Sequence, residues 1–530
     1  MPTFDVLRTT VDRLGERMRD PAFRVPAAAS AASIAGLLLL ISPLHLAGAV
    51  ILVLSVAVIG FARPAWGLWL VLLLFAVHPL ATKVAQVNFG VTGSALVVFS
   101  AWKEVALAAV LLAGLGSIAS NYRAGRRQWP RLALMDIVAG AFVVLIAVGF
   151  AVRHDALAFN QVRLLLFPVG VYIAIRLRPI DSGAYFKAAA ILAVLIAVFA
   201  IVQSSTFGWS FVQTFWGTPD QPIPWTFTAQ YLVGPRAAGT YGSPNELAFA
   251  LMAWGFMSAA LLVMKPVQNR WIVLALFAIL VALALTFSRS TIVASGAGMV
   301  LVLVAIARVS PSPRRALAYL SLAIVPALIL SGAIYFARGG AELIASTLSA
   351  LSSNASTDTG IPFDTPSPVA TTTATTATPS PVATASPSTN PAVLADVSTE
   401  AHLDSLAQGW SMVESHPWGI GLGTVGSRGV PGLVDKPQYI LESYYLSLGV
   451  MLGWPGLVWA VLLPLVMLLT AIRALRRGDM VVGLALLSLS VSVAIVGYWL
   501  PTIMEPEMAI LPWSLAAVAV ASQSARPVER

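Results

Sequence analysis

GPRAAGTYGSPNELA, residues 234–248, holds an arginine, a tyrosine, an asparagine and a glutamate, and it leads into an apolar run that lasts to residue 264. An uninterrupted apolar run of about 20 residues is the length needed to cross a bilayer as a helix. Helix is also the open-chain structure that satisfies its own backbone in lipid. This run is one of many. Working outward, spans are expected at about 27–43, 46–62, 65–81, 94–118, 134–152, 163–177, 187–206, 245–264, 271–287, 291–307, 316–336, 443–472, 480–499 and 508–522. The expected fold is therefore an all-α polytopic membrane protein with about 14 transmembrane helices.

Composition supports this class. Of 530 residues, 58% are hydrophobic and 10% charged, and the mean hydropathy is +0.84; soluble chains carry about 25% charged residues. There is no cysteine, which excludes disulfides, thiol chemistry and thiolate metal sites. The five histidines are not at metal-ligand spacing, so neither metal nor cofactor is expected. Residues 1–26 carry five arginines beside an apolar stripe of Phe4, Leu7, Val11, Leu14 and Met18. They read equally as a helix on an anionic lipid surface and as a basic tail that sets topology. No small-residue cleavage site follows the first apolar run, which is kept as a span.

Placing the N-terminus inside puts 23 of the 32 basic residues on inner segments. This positive-inside bias accounts for a pI near 10 without a nucleic-acid partner. It divides the chain into a basic cytoplasmic segment (1–26), spans 1–11 (27–336), a large outer loop between spans 11 and 12 (337–440), spans 12–14 (441–522) and a cytoplasmic tail (523–530). Eight basic residues fall outside: Lys83, Arg153, Arg163, Arg236, Arg289, Arg338, Arg428 and Lys436; Lys103 falls within span four.

Two outer connections are long. That from Phe207 to Asn245 is rich in Trp, Phe and Tyr, residues suited to the lipid interface and to stacking on sugar rings. The second contains a Thr/Pro/Ser-rich linker over 365–391, where TPSPVAT occurs twice. It cannot bury a core and is expected to be disordered. An amphipathic helix follows over 400–415, with His402, Leu403, Leu406, Trp410 and Val413 at helical spacing. It ends at Ser415-His416-Pro417, before the glycine-rich WGIGLGTVG.

RAAGTYGSPNELA at 236–248, LTFSRSTIVA at 285–294, ESHPWGIGLG at 414–423 and ESYYLSLGVMLGWPG at 442–456, in that order, resemble the O-antigen ligase and polymerase superfamily. Its members are bacterial inner-membrane glycosyltransferases that use undecaprenyl-pyrophosphate-linked glycans on the outer face. The resemblance implies such an oligosaccharide donor, a glycan acceptor, membrane lipid and other polysaccharide-assembly membrane proteins as partners. It implies Arg236, Arg289 and Glu442 as catalytic residues. Tyr241, Asn245, Arg153, Arg163, His416 and Tyr444 are the candidate substrate-binding residues. Ligases of the family carry a histidine at the position where this chain has Glu442 or its neighbour Ser443. The glutamate resembles polymerase-like members, so polymerase is the first reading and ligase the second.

The chemistry is consistent. A pyrophosphate leaving group gains charge as its bond to sugar breaks, and guanidinium grips phosphate oxygens bidentately. A carboxylate such as Glu442 can take the proton of an acceptor hydroxyl. Plainer readings stand beside these: Arg236 as an interface anchor, Arg289 snorkelling to the surface, Glu442 favouring a helix N-terminus, Asn245 and Glu246 starting a span, His416 shaping a turn. Lys103 and Glu104 are expected to enter an interior polar network. A transporter or flippase is the alternative from another class. Such proteins often show two matching halves, and none are visible here.

Overall fold

The computed structural model describes residues 21–124, 132–218, 222–227, 234–337, 391–426 and 439–525. Most of the basic segment 1–26, the linker 365–391 apart from Pro391, and Arg338, Arg428 and Lys436, expected on the outer side, lie outside them. The described residues form an all-helical bundle with no strand, only an isolated bridge between Val425 and Tyr439.

In chain order the helices are α1 (Pro21–Leu40), α2 (His45–Ala62), α3 (Pro64–Leu74), α4 (His78–Phe89), α5 (Gly93–Ser100), α6 (Trp102–Arg123), α7 (Leu134–Val152), α8 (Ala156–Leu177), α9 (Ser182–Val202) and α10 (Gly208–Phe215). After the Arg236 loop come α11 (Pro244–Met264), α12 (Ile272–Leu285), α13 (Arg289–Val309) and α14 (Pro313–Tyr335). The last four are α15 (Pro391–Ser415), α16 (Tyr444–Arg476), α17 (Met480–Trp499) and α18 (Pro506–Ala525).

Eleven helical stretches are long and apolar enough to cross a membrane. They correspond to eleven of the fourteen expected spans. The other three fall on α1, α12 and α18, which are helical but not among the eleven. α8 begins at Ala156, seven residues before the expected start of its span. Asp155 caps it by accepting from Ala158 N at 2.8 Å, so the polar residues ahead of Arg163 join the helix.

α11 is the hub. It is apolar on all sides and nearly all of it is buried, whereas most of α14 is not. A helix that is hydrophobic all round belongs inside a bundle. Its small residues, among them Ala250, Ala253, Gly255, Ser258 and Ala259, let neighbouring helices approach closely. α14 leaves Leu322, Val325, Leu328 and Ile329 exposed, as a lipid-facing helix would.

Two interruptions shape the end of the bundle where the Arg236 loop lies. One breaks the third expected span at Phe75–Val77, between α3 and α4, and leaves the Ala76 carbonyl to accept from Thr240 Oγ1 at 2.7 Å. The other is in α16, where Gly453 has φ 70°. A Cβ there would stand 2.1 Å from the Pro417 carbonyl oxygen, so only glycine lets the backbone turn at this contact.

α15 runs alongside the first part of α16. Over 402–415, its buried positions are His402, Gly409 and Val413, while Leu403 and Trp410 are exposed. The expected amphipathic stripe is thus only partly the packed one. The helix also begins earlier than expected, at Pro391. Gly409 sits against Leu441 and Leu446, so a residue without a side chain makes the closest approach.

Candidate functional site

The Arg236 loop is held from several directions. After α9 the chain makes a π-helical turn over Gln203–Phe207, a distortion often found at functional sites. Gln203 is fully buried, and its Oε1 accepts from Ala238 N at 3.0 Å and Gly239 N at 3.3 Å. Ser204 Oγ donates to the Pro235 carbonyl at 2.8 Å. Leu80 N donates to the Thr240 carbonyl and Ala237 N to that of Leu285. Sequence reasoning missed Gln203; a lone glutamine at the end of an apolar run was the available signal.

Within this frame Arg236 is partly buried and tied at three points. Its Nε donates to the Thr286 carbonyl at 2.7 Å, Nη1 to the Thr226 carbonyl at 3.0 Å and Nη2 to Asn245 Oδ1 at 3.0 Å. Guanidinium has five N–H donors. Two of them, one on each terminal nitrogen, are engaged by no described residue. Burial, and then the charge of Arg289, push Arg236 down to about 10, so it remains a cation at neutral pH.

Arg289 is the first residue of α13 and is exposed. It makes no ion pair among the described residues. The turn before it is unusual: Phe287 has φ 51°, the only non-glycine residue with positive φ among those described. Such strain at a bulky residue persists only where the surroundings enforce it. Here Thr286 Oγ1 accepts from Ser288 N at 3.3 Å and Ser288 Oγ lies 3.0 Å from Thr291 Oγ1.

Asn245 and Glu246 lie in the first turn of α11, whose cap is Ser243. The Asn245 side chain turns to Arg236 rather than to open space. Tyr241 is 1% exposed. Burial, and then the carboxylates of Glu507 and Glu246, hold its hydroxyl well above the usual range. The start of α18 therefore lies beside the Arg236 loop.

Glu442 joins the same end through α17. The hairpin of α16 and α17 brings Ser443 Oγ to the Gly497 carbonyl (3.4 Å) and the Tyr445 hydroxyl to that of Ala494 (3.0 Å). Ser492 Oγ donates to the Ala294 carbonyl of α13 at 2.8 Å. From that tie, Arg289 is five residues back and Trp499 seven forward, about 7.5 and 10 Å along the two helices. Glu442 Oε2 is 2.6 Å from His402 Nδ1, and the His402 ring stacks on Trp499 with centroids 4.8 Å apart. His402 was read only as part of an amphipathic stripe.

The other candidates sit elsewhere or are engaged. Arg153 pairs with Asp155 at 2.5 Å and packs against Gly421 of the glycine-rich segment. Arg163 pairs with Glu104 at 3.6 Å. Glu104 also meets Lys103 at 3.5 Å, and the buried Lys103 reaches His78 Nε2 at 2.9 Å. Lys103 and Glu104 thus share an interior polar network. His416 is exposed, bonded within its own turn, and next to the Gly453 kink rather than to Glu442. Tyr444 is fully in the core, edge-on to Tyr445 at 5.4 Å. Among the described residues, no group of three His, Asp or Glu is placed to hold a metal ion.

Residues 274–461 match the family model for O-antigen ligase. The match covers about a third of the chain and supports its resemblance to the O-antigen ligase and polymerase superfamily. The matched stretch contains Arg289, His402, His416 and Glu442; Arg236 lies ahead of it. A comparison with curated proteins found no match. The matched family implies a glycosyltransferase-type enzyme with lipid-linked glycan substrates.

Proposed function

We propose that the protein joins undecaprenyl-pyrophosphate-linked glycan repeat units into a surface polysaccharide, on the outer face of the bacterial cytoplasmic membrane and without a metal ion. The observation that carries this reading is the arginine pair. Arg236 is fixed by three hydrogen bonds, with two N–H groups engaged by no described residue, next to the exposed Arg289. Two guanidinium groups held close together, with no carboxylate paired to them among the described residues, repel each other, and a doubly charged pyrophosphate would relieve that repulsion.

In this account the acceptor hydroxyl oxygen bonds to the anomeric carbon of the donor glycan. The bond from that carbon to the pyrophosphate oxygen breaks, and the electron pair leaves on the phosphate. Arg236 and Arg289 stabilise the charge, each such contact contributing about 2–4 kcal/mol to the transition state. The hydroxyl proton passes to Glu442, a proton-accepting group like the histidine of ligases.

Glu442 favours polymerase over ligase. Surface glycan from a deletion strain tests this. Loss of long polymer with single repeats retained supports polymerase, whereas full-length polymer left on its lipid carrier means ligase.

A further inference from the structure

His402 and Glu442 come from different helices, α15 and the start of α16, and meet at 2.6 Å. Both ends of the contact are fixed. The His402 ring lies on Trp499 at an interplanar angle of 27°. The Glu442 backbone N–H donates to Ser405 Oγ at 3.0 Å, one turn along α15 from His402. The histidine side chain is 11% exposed and the glutamate 37%.

Hydrogen-bond accounting gives each atom a role. An ionised carboxylate only accepts, so His402 Nδ1 carries the proton and donates it to Oε2. Nε2 is buried without a partner among the described residues. It can remain an unpaired acceptor at smaller cost than a buried unpaired N–H of a charged ring. Being buried, it is not the atom that meets substrate. The second oxygen of Glu442, Oε1, is engaged by no described residue and belongs to the more exposed partner. A glutamate side chain has three rotatable bonds, and tying one oxygen to a stacked ring removes most of that freedom.

We infer that His402 is a positioning residue: it holds one oxygen of Glu442 so that the other faces the acceptor hydroxyl as the proton acceptor. This rests on the function proposed above. Docking α15 on α16 then does more than pack a helix, because it completes the base.

The test measures kcat and KM for extension of purified undecaprenyl-pyrophosphate-linked repeat units, together with the thermal midpoint of each variant. His402→Phe keeps the stacking on Trp499 but loses the donor. It is expected to lose about 10- to 100-fold in kcat, the scale of a misplaced catalytic group, with KM for the lipid-linked units within about twofold of wild type. His402→Asn, whose side-chain N–H can stand where Nδ1 stands, is expected to recover to within about fivefold of wild-type kcat. Wild-type kcat in His402→Phe overturns the inference. So does an Asn variant no better than Phe. Wild-type protein that extends no lipid-linked units at all contradicts the proposed function itself and, with it, this role.

Discussion

Arg236 Nε donates to the carbonyl of Thr286 at 2.7 Å, across 50 residues of sequence and three residues before Arg289. This bond ties the Arg236 loop to the turn that carries the second arginine. The two cations are therefore unequal. Arg236 is part of the framework as well as the charge, whereas Arg289 projects from it.

That inequality predicts different costs. Arg236→Ala removes three hydrogen bonds from a charged donor and should lower stability by about 2–4 kcal/mol. Arg289→Ala, at an exposed helix start, should change it by less than about 0.5 kcal/mol. Thermal midpoints in detergent check this. Equal destabilisation would show that Arg289 has a structural contact of its own.

Asn245→Ala should leave the Arg236 guanidinium held at two points instead of three. A loss of about tenfold in transfer rate is expected, with less than about 1.5 kcal/mol of stability lost. Steady-state kinetics of the purified variant measure the first figure and its thermal midpoint the second. Unchanged kinetics would mean that the Thr286 and Thr226 carbonyls are enough to aim the guanidinium.

Asp136 offers a control away from the arginines. It accepts from the Tyr172 hydroxyl at 2.6 Å and from Arg176 at 2.9 and 3.0 Å, at the opposite end of α7 from Arg153. The Arg176 side chain is 7% exposed. Asp136→Ala removes a carboxylate that two bonds tie to a buried guanidinium and should cost about 3–5 kcal/mol, with the transfer rate per folded molecule unchanged.

Orientation is testable because the chain has no cysteine of its own. Ser380→Cys should react with an impermeant thiol reagent in intact cells, after outer-membrane permeabilisation if needed, and Ser524→Cys should not. The reverse pattern would overturn the positive-inside assignment.

Much of the bundle was legible from hydropathy because lipid requires long apolar helices. Span boundaries that depend on caps were less so: Asp155 extends α8 upstream by a hydrogen bond that apolarity does not report. Arg236 and Arg289 stood out as basic residues on the side that should lack them. Gln203 and His402 did not stand out, since each becomes informative only through a distant partner, Ala238 and Glu442. Leu403 and Trp410, expected on the apolar stripe of a surface helix, are exposed. The close contact with α16 is made by Gly409, which carries no apolar signal.

The central claim is that Arg236 and Arg289 together hold a pyrophosphate leaving group without a metal. It is tested most directly by extension of purified undecaprenyl-pyrophosphate-linked repeat units in liposomes, with EDTA present. The account predicts extended glycan with wild-type protein and nearly none with Arg289→Ala, although that variant is folded. Arg289→Lys should also lose much of the activity, because it keeps the charge but not the planar fork. Full activity in Arg289→Ala, or wild-type activity abolished by EDTA and restored by a divalent ion, would contradict it.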